Sequence, residues 1–532
     1  MKKHIIYTVV ALFGIMATSC NSDLLEIRQK GVVDENSYYS TDEDAFAAIT
    51  VVYATWKGTW YNDFFIKNLI SDDACCGGGG RGDNANYEQM NEYRFAPNNT
   101  TISGPYSQYY QIIYYSNVLL SKFSVGQSAA IDRCIAEAKT ARAWAHTQLT
   151  MLWGTPPIVD HVFEGSSEYQ QPNSTPAEMW AFIINDLSEA AAVLPSKKSM
   201  EDRTATRLTK EAALAFMGKA QVMSGDYSGA RTTLKKVIDS GLYGLVDGAT
   251  LEKLFSSSDN EWSREAIFES NTIYSAANVW ANYSLFHLML GWRSTDLKGM
   301  PSQTYSVGWG FFNPKEDFVQ AFLKHEGNSA RFNAYVKDWE TAVEMGAGGL
   351  AKTYLYGCVG YLDWKWHSDP KDVPADGYGF VYNGNPRWMR YAEVLLLYAE
   401  ACAQTGDDGS GLAALNAIQN RAGAPTTGLS MENVKTEKRF EMWLEGTRFI
   451  DLVRWGDVKS SSLPDQGAYI PLFKGFNSDG SYNIDRTTYK NASYGFQTGR
   501  SELLPFPEAE IISNQKLTQN PGWGGVVLED AK

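Results

Sequence analysis

Apolar residues recur at three-to-four spacing through much of the chain, the pattern of helices with one face on a core. Ile131, Ile135, Ala138, Ala145, Leu149 and Leu152 form one such stripe, which stops at Gly154 and Pro156-Pro157. The next predicted helix has a complete start signal. Thr175 fits the N-cap, Pro176 the first turn, and Glu178 completes a capping box. Its stripe is Ile183, Leu187, Ala190 and Leu194, and Pro195 ends it. Residues 208–239 read as a helical hairpin. Ala212, Ala213, Ala215, Gly218 and Ala220 keep its first helix slim, so that a neighbour packs close. Asp226 can cap the second helix, whose inner face is Tyr227, Ala230, Leu234 and Val237. Further helices fit 388–405, 411–422 and 432–455.

A slim alanine-rich helix, a short turn and a helix opening on Tyr resemble a tetratricopeptide pair, although no strict period of about 34 residues is present. Three stretches break the helical pattern. Residues 56–110 are rich in Gly, Asn, Asp and aromatics around Gly77-Gly78-Gly79-Gly80. Residues 256–384 mix Trp, Tyr, Gly and Pro, and 463–503 are short polar and aromatic runs. Long irregular stretches in a compact protein are functional or disordered, and aromatic content argues for the former.

The N-terminus changes the picture of compartment. Lys2 and Lys3 precede an apolar run, Ile5 to Ala17, which is a signal-peptide core and too short to span a bilayer. It ends in Ala17-Thr18-Ser19-Cys20. That site is similar to a lipobox, in which Cys20 carries the lipid; the alternative is ordinary secretory cleavage near Ser19. Residues 1–19 are then a removed signal peptide, and no later apolar stretch is long enough to cross a membrane.

Net charge is -14 with no basic block, which sets nucleic acid aside as a partner. The 16 Trp and 30 Tyr point to an aromatic binding platform, because these rings keep a polar edge suited to wet surfaces. Neither metal nor cofactor is expected. The cysteines after Cys20 (Cys75, Cys76, Cys134, Cys358 and Cys402) contain no CxxC pair and no His at metal spacing. Cys75-Cys76 leaves open a strained vicinal disulfide or two free thiols. There is no HExxH, and the poly-Gly run lacks the Lys-Ser/Thr of a phosphate loop.

Glu437, Glu441 and Glu445 stand at four-residue spacing, on one face of the helix predicted over 432–455. A glycosidase needs two carboxylates across a cleft, about 5 Å or about 6.5–9.5 Å apart, which one helical row does not supply. With Arg439, Arg448 and Arg454 nearby, an ion-pair network is the better reading. Segment Glu437–Gly456 also resembles the C-terminal signature of the SusD/RagB family of Bacteroidetes outer-membrane lipoproteins. Three other segments agree, in family order: Glu137–Trp144 running to Trp153–Pro157; Arg387–Ala401; and Leu504–Ile511 followed by Leu517–Trp523. The resemblance implies an all-α fold of tetratricopeptide-like helical pairs with long loop-rich insertions. It implies one domain over 20–532, with an N-terminal half to about 255, an irregular ligand-binding region over about 256–384 and a C-terminal half from about 385. It implies no catalysis, but a lipid-anchored protein on the outer face of the outer membrane. Such a protein captures oligosaccharide or polysaccharide beside a SusC-type TonB-dependent transporter.

Sugars offer C–H faces to aromatic rings and hydroxyls to Asp, Asn, Gln and Arg. Candidates therefore come from the two long irregular stretches. The first offers Asp72, Asp73, Arg81, Asn84 and Asn86, with Trp60 and Tyr87 close in sequence; the second offers Tyr274, Trp280, Tyr283, Trp292 and Trp309. Plain core packing competes for each of them. Two rival functions stay open: a receptor for peptides or another non-glycan nutrient, and a glycoside hydrolase with carboxylates from separate loops.

Overall fold

The start signals legible in the sequence are used by the backbone. The computed structural model describes residues 39–272, 275, 277, 282–299, 308–373, 381–406, 408–488 and 494–524. Cys20, Tyr274 and Trp280 lie outside the described residues. Thr175 accepts the Glu178 N–H, and the Glu178 carboxylate answers at the Thr175 N–H at 2.8 Å, with Pro176 in the first turn. Asp226 Oδ1 accepts the Gly229 N–H at 2.9 Å. A second capping box, Thr41 with Asp44, opens the first helix.

The longer helices, in chain order, are α1 (Asp42–Gly58), α2 (Trp60–Leu69), α3 (Thr100–Lys122), α4 (Ala129–Trp153), α5 (Pro176–Val193), α6 (Lys210–Ser224), α7 (Tyr227–Asp239), α8 (Glu316–Glu326), α9 (Tyr391–Thr405), α10 (Ser410–Ala422), α11 (Met431–Glu441) and α12 (Arg448–Trp455). From α3 to α7 each helix packs on the next, and the series continues through α9 and α10. The fold is all-α, a succession of antiparallel helical pairs of tetratricopeptide type. Close approach inside the pairs depends on small residues: a Cβ on Gly218 of α6 would lie 2.4 Å from the Leu234 side chain of α7.

Short strands stitch the remaining segments. They are β1 (Ala74–Cys76), β2 (Ala266–Glu269), β3 (Phe312–Pro314), β4 (Val336–Asp338), β5 (Leu355–Tyr356), β6 (Tyr361–Asp363), β7 (Arg387–Arg390), β8 (Ile470–Phe476) and β9 (Tyr482–Thr487). All pairings are antiparallel: β1 with β3, β2 with β7, β4 with β6, and β8 between β5 and β9.

The structure corrects several expectations. Residues 56–110 contain α2, a short helix over Ala85–Asn91 and the start of α3. α2 escapes periodicity because Asp63 through Leu69 are all buried, so the helix has no polar face to alternate with. Residues 256–384 contain α8, and 463–503 contain the β8–β9 hairpin. The helix expected over 432–455 is two helices, parted by a turn in which Leu444 (φ 55°) and Gly446 (φ 72°) adopt left-handed backbone. Of the two states left open for Cys75 and Cys76, the structure has the free thiols, buried in β1 rather than in a loop. Burial pushes the Cys75 thiol up to about 11.

Much of the tryptophan content is interior. Trp56 is buried against Trp144 at 4.8 Å and Phe268 at 4.9 Å. Many buried indoles donate to backbone carbonyls, as Trp153 does to Pro505 and Trp443 to Asp73. Among the described residues no helix is long and apolar enough to cross a membrane.

Candidate functional site

Thr59 separates α1 from α2 and is itself buried, which pins the junction; Gly58 is exposed and Lys57, Trp60 and Tyr61 are half-buried around it. Lys57, Trp60 and Tyr61 thereby stand at the mouth of a cleft of about 600 Å³. Its other walls come from 254–261, 282–287 and 382–387. The Trp60 ring rests edge-on against Trp388 at 5.1 Å and lies 5.5 Å from Phe286 and 5.7 Å from Trp366. Tyr283 stands 58% exposed on the rim, held by a backbone bridge to Val381. The Tyr87 hydroxyl donates to that of Tyr61 at 2.8 Å. The cleft therefore offers ring faces backed by a rigid aromatic floor.

Polar groups are interleaved with the rings. Lys57 Nζ donates to Asn282 Oδ1 at 3.3 Å, and Asn282 Nδ2 to Asn383 Oδ1 at 3.0 Å. The Asn385 N–H donates to Glu261 Oε1 at 2.8 Å, while Asn385 Oδ1 accepts from the Thr272 N–H at 2.7 Å. Burial, with the Glu269 carboxylate nearby, pushes Glu261 up to about 8. Burial lowers Lys57. Burial also takes His287 down to about 3, so this ring is neutral; its Nδ1 lies 3.1 Å from the Trp366 carbonyl. Among the described lining residues Glu261 has no second carboxylate across the cleft, so the pair that glycoside hydrolysis needs is not formed there. The arrangement suits a ligand with apolar faces and many hydroxyls, held by stacking and by neutral hydrogen bonds. Among the described residues no cluster of three His, Cys, Asp or Glu is placed to hold a metal ion.

Of the described residues singled out from the sequence, the structure brings Trp60 and Tyr283 to this cleft, sets Tyr87 against Tyr61 of its lining, and leaves Asp72, Asp73, Arg81, Asn84, Asn86, Trp292 and Trp309 outside it. Asp72 and Asp73 are each 1% exposed, which corrects the expectation that they present carboxylates to a ligand. The chain dives inward after α2. Asp72 takes Arg448 at 2.7 and 2.9 Å, and Asp73 takes Arg439 at 2.9 Å. Trp292 is 4% exposed, donating to the Asp363 carbonyl at 2.8 Å within a second apolar cluster; it too is packing. Arg81 is clamped on Glu92 and lies 3.6 Å from Glu88. Asn84 is the N-cap of the helix at 85–91, accepting the Tyr87 N–H at 3.2 Å. Trp309 is half-buried against the main core, outside the cleft lining. The glycine run serves close packing: a Cβ on Gly77 would sit 2.1 Å from the Gly310 carbonyl oxygen. Missed from the sequence were Lys57, Tyr61, Glu261, Asn282 and Asn385. The available signals were the Trp60-Tyr61 pair after Gly58 and the turn-rich run Asn383-Gly384-Asn385-Pro386.

Glu437, Glu441 and Glu445 form an ion-pair network as expected, but with partners from other segments, while Arg439, Arg448 and Arg454 pair with Asp73, Asp72 and Glu400 instead. Glu441 takes Arg331 at 2.9 Å, Arg390 at 2.6 Å and Arg421. Glu445 takes Arg390 and Lys365, each at 2.6 Å, although it lies past the end of α11. Glu265 joins from the other side, with Arg390 at 2.9 Å and Arg421 at 3.1 Å. Arg387 pairs with Glu269 and also lines the cleft floor.

Comparison with known proteins places this architecture. A family model described as the SusD family matches residues 351–523, and one described as starch-binding and associating with the outer membrane matches 43–221. A SusD-like protein of Bacteroides ovatus is 23% identical, over 96% of this chain and 97% of that protein. The starch-binding protein SusD of Bacteroides thetaiotaomicron is 24% identical, over 87% of this chain and 86% of its own length. Among solved structures, a laminarin-binding SusD-like protein superposes with a TM-score of 0.75 at 25% identity, covering 90% of this chain and 99% of that one. These relatives are named for binding or for SusD, not for a catalysed reaction. The motifs in order, the paired helices and matches running nearly end to end lead to one statement: the chain belongs to the SusD/RagB family.

Proposed function

We propose that the protein is a glycan receptor whose cleft at the α1–α2 junction holds an oligosaccharide. The observation that carries this reading is the cleft itself: Trp60, Tyr61 and Tyr283 interleaved with Lys57, Glu261, Asn282 and Asn385, with one carboxylate among its described lining residues. The names of the laminarin-binding and starch-binding relatives support the same ligand class. The finer parts of the proposal rest on sequence. The mature chain from Cys20 acts as one domain, tethered by lipid on Cys20 to the outer face of the outer membrane. It passes its ligand to a SusC-type TonB-dependent transporter.

The test is calorimetric titration with laminarihexaose, maltohexaose and a peptide panel, on the parent and on Tyr283→Ala and Trp60→Ala variants checked for intact melting. One stacked ring is worth about 1–3 kcal/mol, by analogy with bases on aromatic side chains. Each variant should therefore lose about fivefold or more in glycan affinity. Unchanged affinity in both folded variants would move the site elsewhere. Binding of peptides and of no sugar would replace the glycan reading with the peptide one.

A further inference from the structure

A second cleft shares no lining residue with the first. Its walls are built by two periodicities. Glu316 and Gln320 stand one turn apart on α8. Tyr482, Ile484 and Arg486 alternate along β9 and so share one face of the hairpin. Tyr361, opening β6, stands between the walls and meets Tyr482 edge-on at 5.7 Å. Arg486 Nη2 reaches across to both oxygens of Glu316, at 2.8 and 2.6 Å, and closes one end. The enclosed volume is about 250 Å³.

The open face of a surface hairpin usually carries polar side chains. Here it carries a tyrosine, an isoleucine and an arginine; Tyr482 and Ile484 rest partly on the second apolar cluster and turn their remaining surface, with Arg486, to the cleft. The Tyr482 ring is fixed in place. Its hydroxyl bonds to Glu340 and accepts the Trp339 N–H at 3.3 Å, so the ring is held ready at no further ordering cost. The charges of Glu316 and Arg486 cancel, which removes the attraction for an ionic ligand. What remains is two ring surfaces and an aliphatic wall on one side, with carboxylate, guanidinium and carboxamide groups at the edge. Such a lining matches a neutral polyhydroxylated ring. The volume lies below the range of about 300–1,000 Å³ typical for drug-sized ligands, so the occupant is one sugar ring or the end of a chain.

We propose that this cleft between α8 and the β8–β9 hairpin is a second carbohydrate site, taking a single neutral pyranose unit independently of the main cleft. A glycan long enough to reach both sites is held twice, and the gain comes from effective concentration rather than from new contacts.

The test is saturation-transfer NMR with four free monosaccharides: glucose, galactose, mannose and xylose. It uses the parent, a main-cleft variant (Trp60→Ala with Tyr283→Ala) and a second-cleft variant (Gln320→Ala with Arg486→Ala), each checked by thermal melting. Gln320 on α8 and Arg486 on β9 are both exposed, so their loss spares the core. At least one sugar should keep its signal in the main-cleft variant. Removing both main-cleft and second-cleft residues together should abolish that signal. The residual affinity should fall about tenfold when the Gln320 and Arg486 contacts alone are lost. If every sugar signal disappears in the main-cleft variant, the second site is overturned while the main reading stands. If the signal disappears in the second-cleft variant but not in the main-cleft variant, the second site stands, and the hexasaccharide titration alone decides the main reading. A parent silent to all four sugars overturns the second site, while the hexasaccharide titration decides the main reading separately.

Discussion

Glu261 shows what one buried carboxyl does to a binding cleft. Its ordinary value is 4.5, and burial beside Glu269 takes it to about 8. Between those values the folded protein keeps a proton that the unfolded chain has released, so the group's contribution to stability falls as pH rises through this window. Glu261→Gln keeps the acceptor for the Asn385 N–H and removes the ionisation. The variant should melt with the parent near pH 5 and above it near pH 8.5; parallel melting curves at both would show an ordinary carboxylate. No spacing in the sequence announces this residue, because Lys57, Glu261 and Asn385 meet only in three dimensions. The same blindness explains Asp72 and Trp292. A carboxylate or an indole suits a sugar, and it suits an interior equally once a partner arrives from far along the chain. Arg448 is 376 residues from Asp72.

The pair α11 and α12, with the turn between them, is the element on which stability turns. Burial alone would raise Glu441 and Glu445, but Arg331, Arg390, Arg421 and Lys365 hold both below the usual carboxylate range. The stability they contribute is present above about pH 4.5 and is lost as pH falls toward their folded values. Removing one partner of a buried pair leaves the rest uncompensated. Glu441→Gln should therefore cost about 3–5 kcal/mol in urea unfolding and flatten the acid limb of the melting-temperature profile. Glycan affinity of the folded fraction should stay unchanged; a weakened affinity in a stable Glu441→Gln protein would mean that the network serves binding. At this scale the sequence was most readable where caps are local, as at Thr175 and Asp226. It failed at α2, whose second half is buried all round, and at the break near Leu444, where carboxylate spacing of four continues through a turn. The β8–β9 hairpin was hidden because Ile470, Pro471 and Phe473 of β8 are buried but no residue of β9 is, too short a buried run to set the period.

The whole molecule sets a superhelix of paired helices beside loop-built walls, and the main cleft lies where the two meet. The helical pairs were legible because each buries one stripe; the cleft was not, because its walls come from separate segments. Tethering belongs to this scale. Cys20→Ala should move the protein from the detergent phase to the aqueous phase on phase partitioning, with loss of the acyl mass; unchanged partitioning would refute the anchor. The transporter partnership predicts co-purification with a β-barrel protein from native membranes, and repeated failure to recover one would leave a receptor that acts alone.

The tryptophan floor of the main cleft has an optical consequence. Trp366, Trp60, Trp388, Trp144 and Trp56 form a series with centroid separations of 5.7, 5.1, 5.0 and 4.8 Å. Indoles this close exchange excitation energy, so their emission is a shared property of the series. A ligand that settles on Trp60 disturbs one member of that coupled set, so cleft occupancy should be readable as a change in emission intensity without any label.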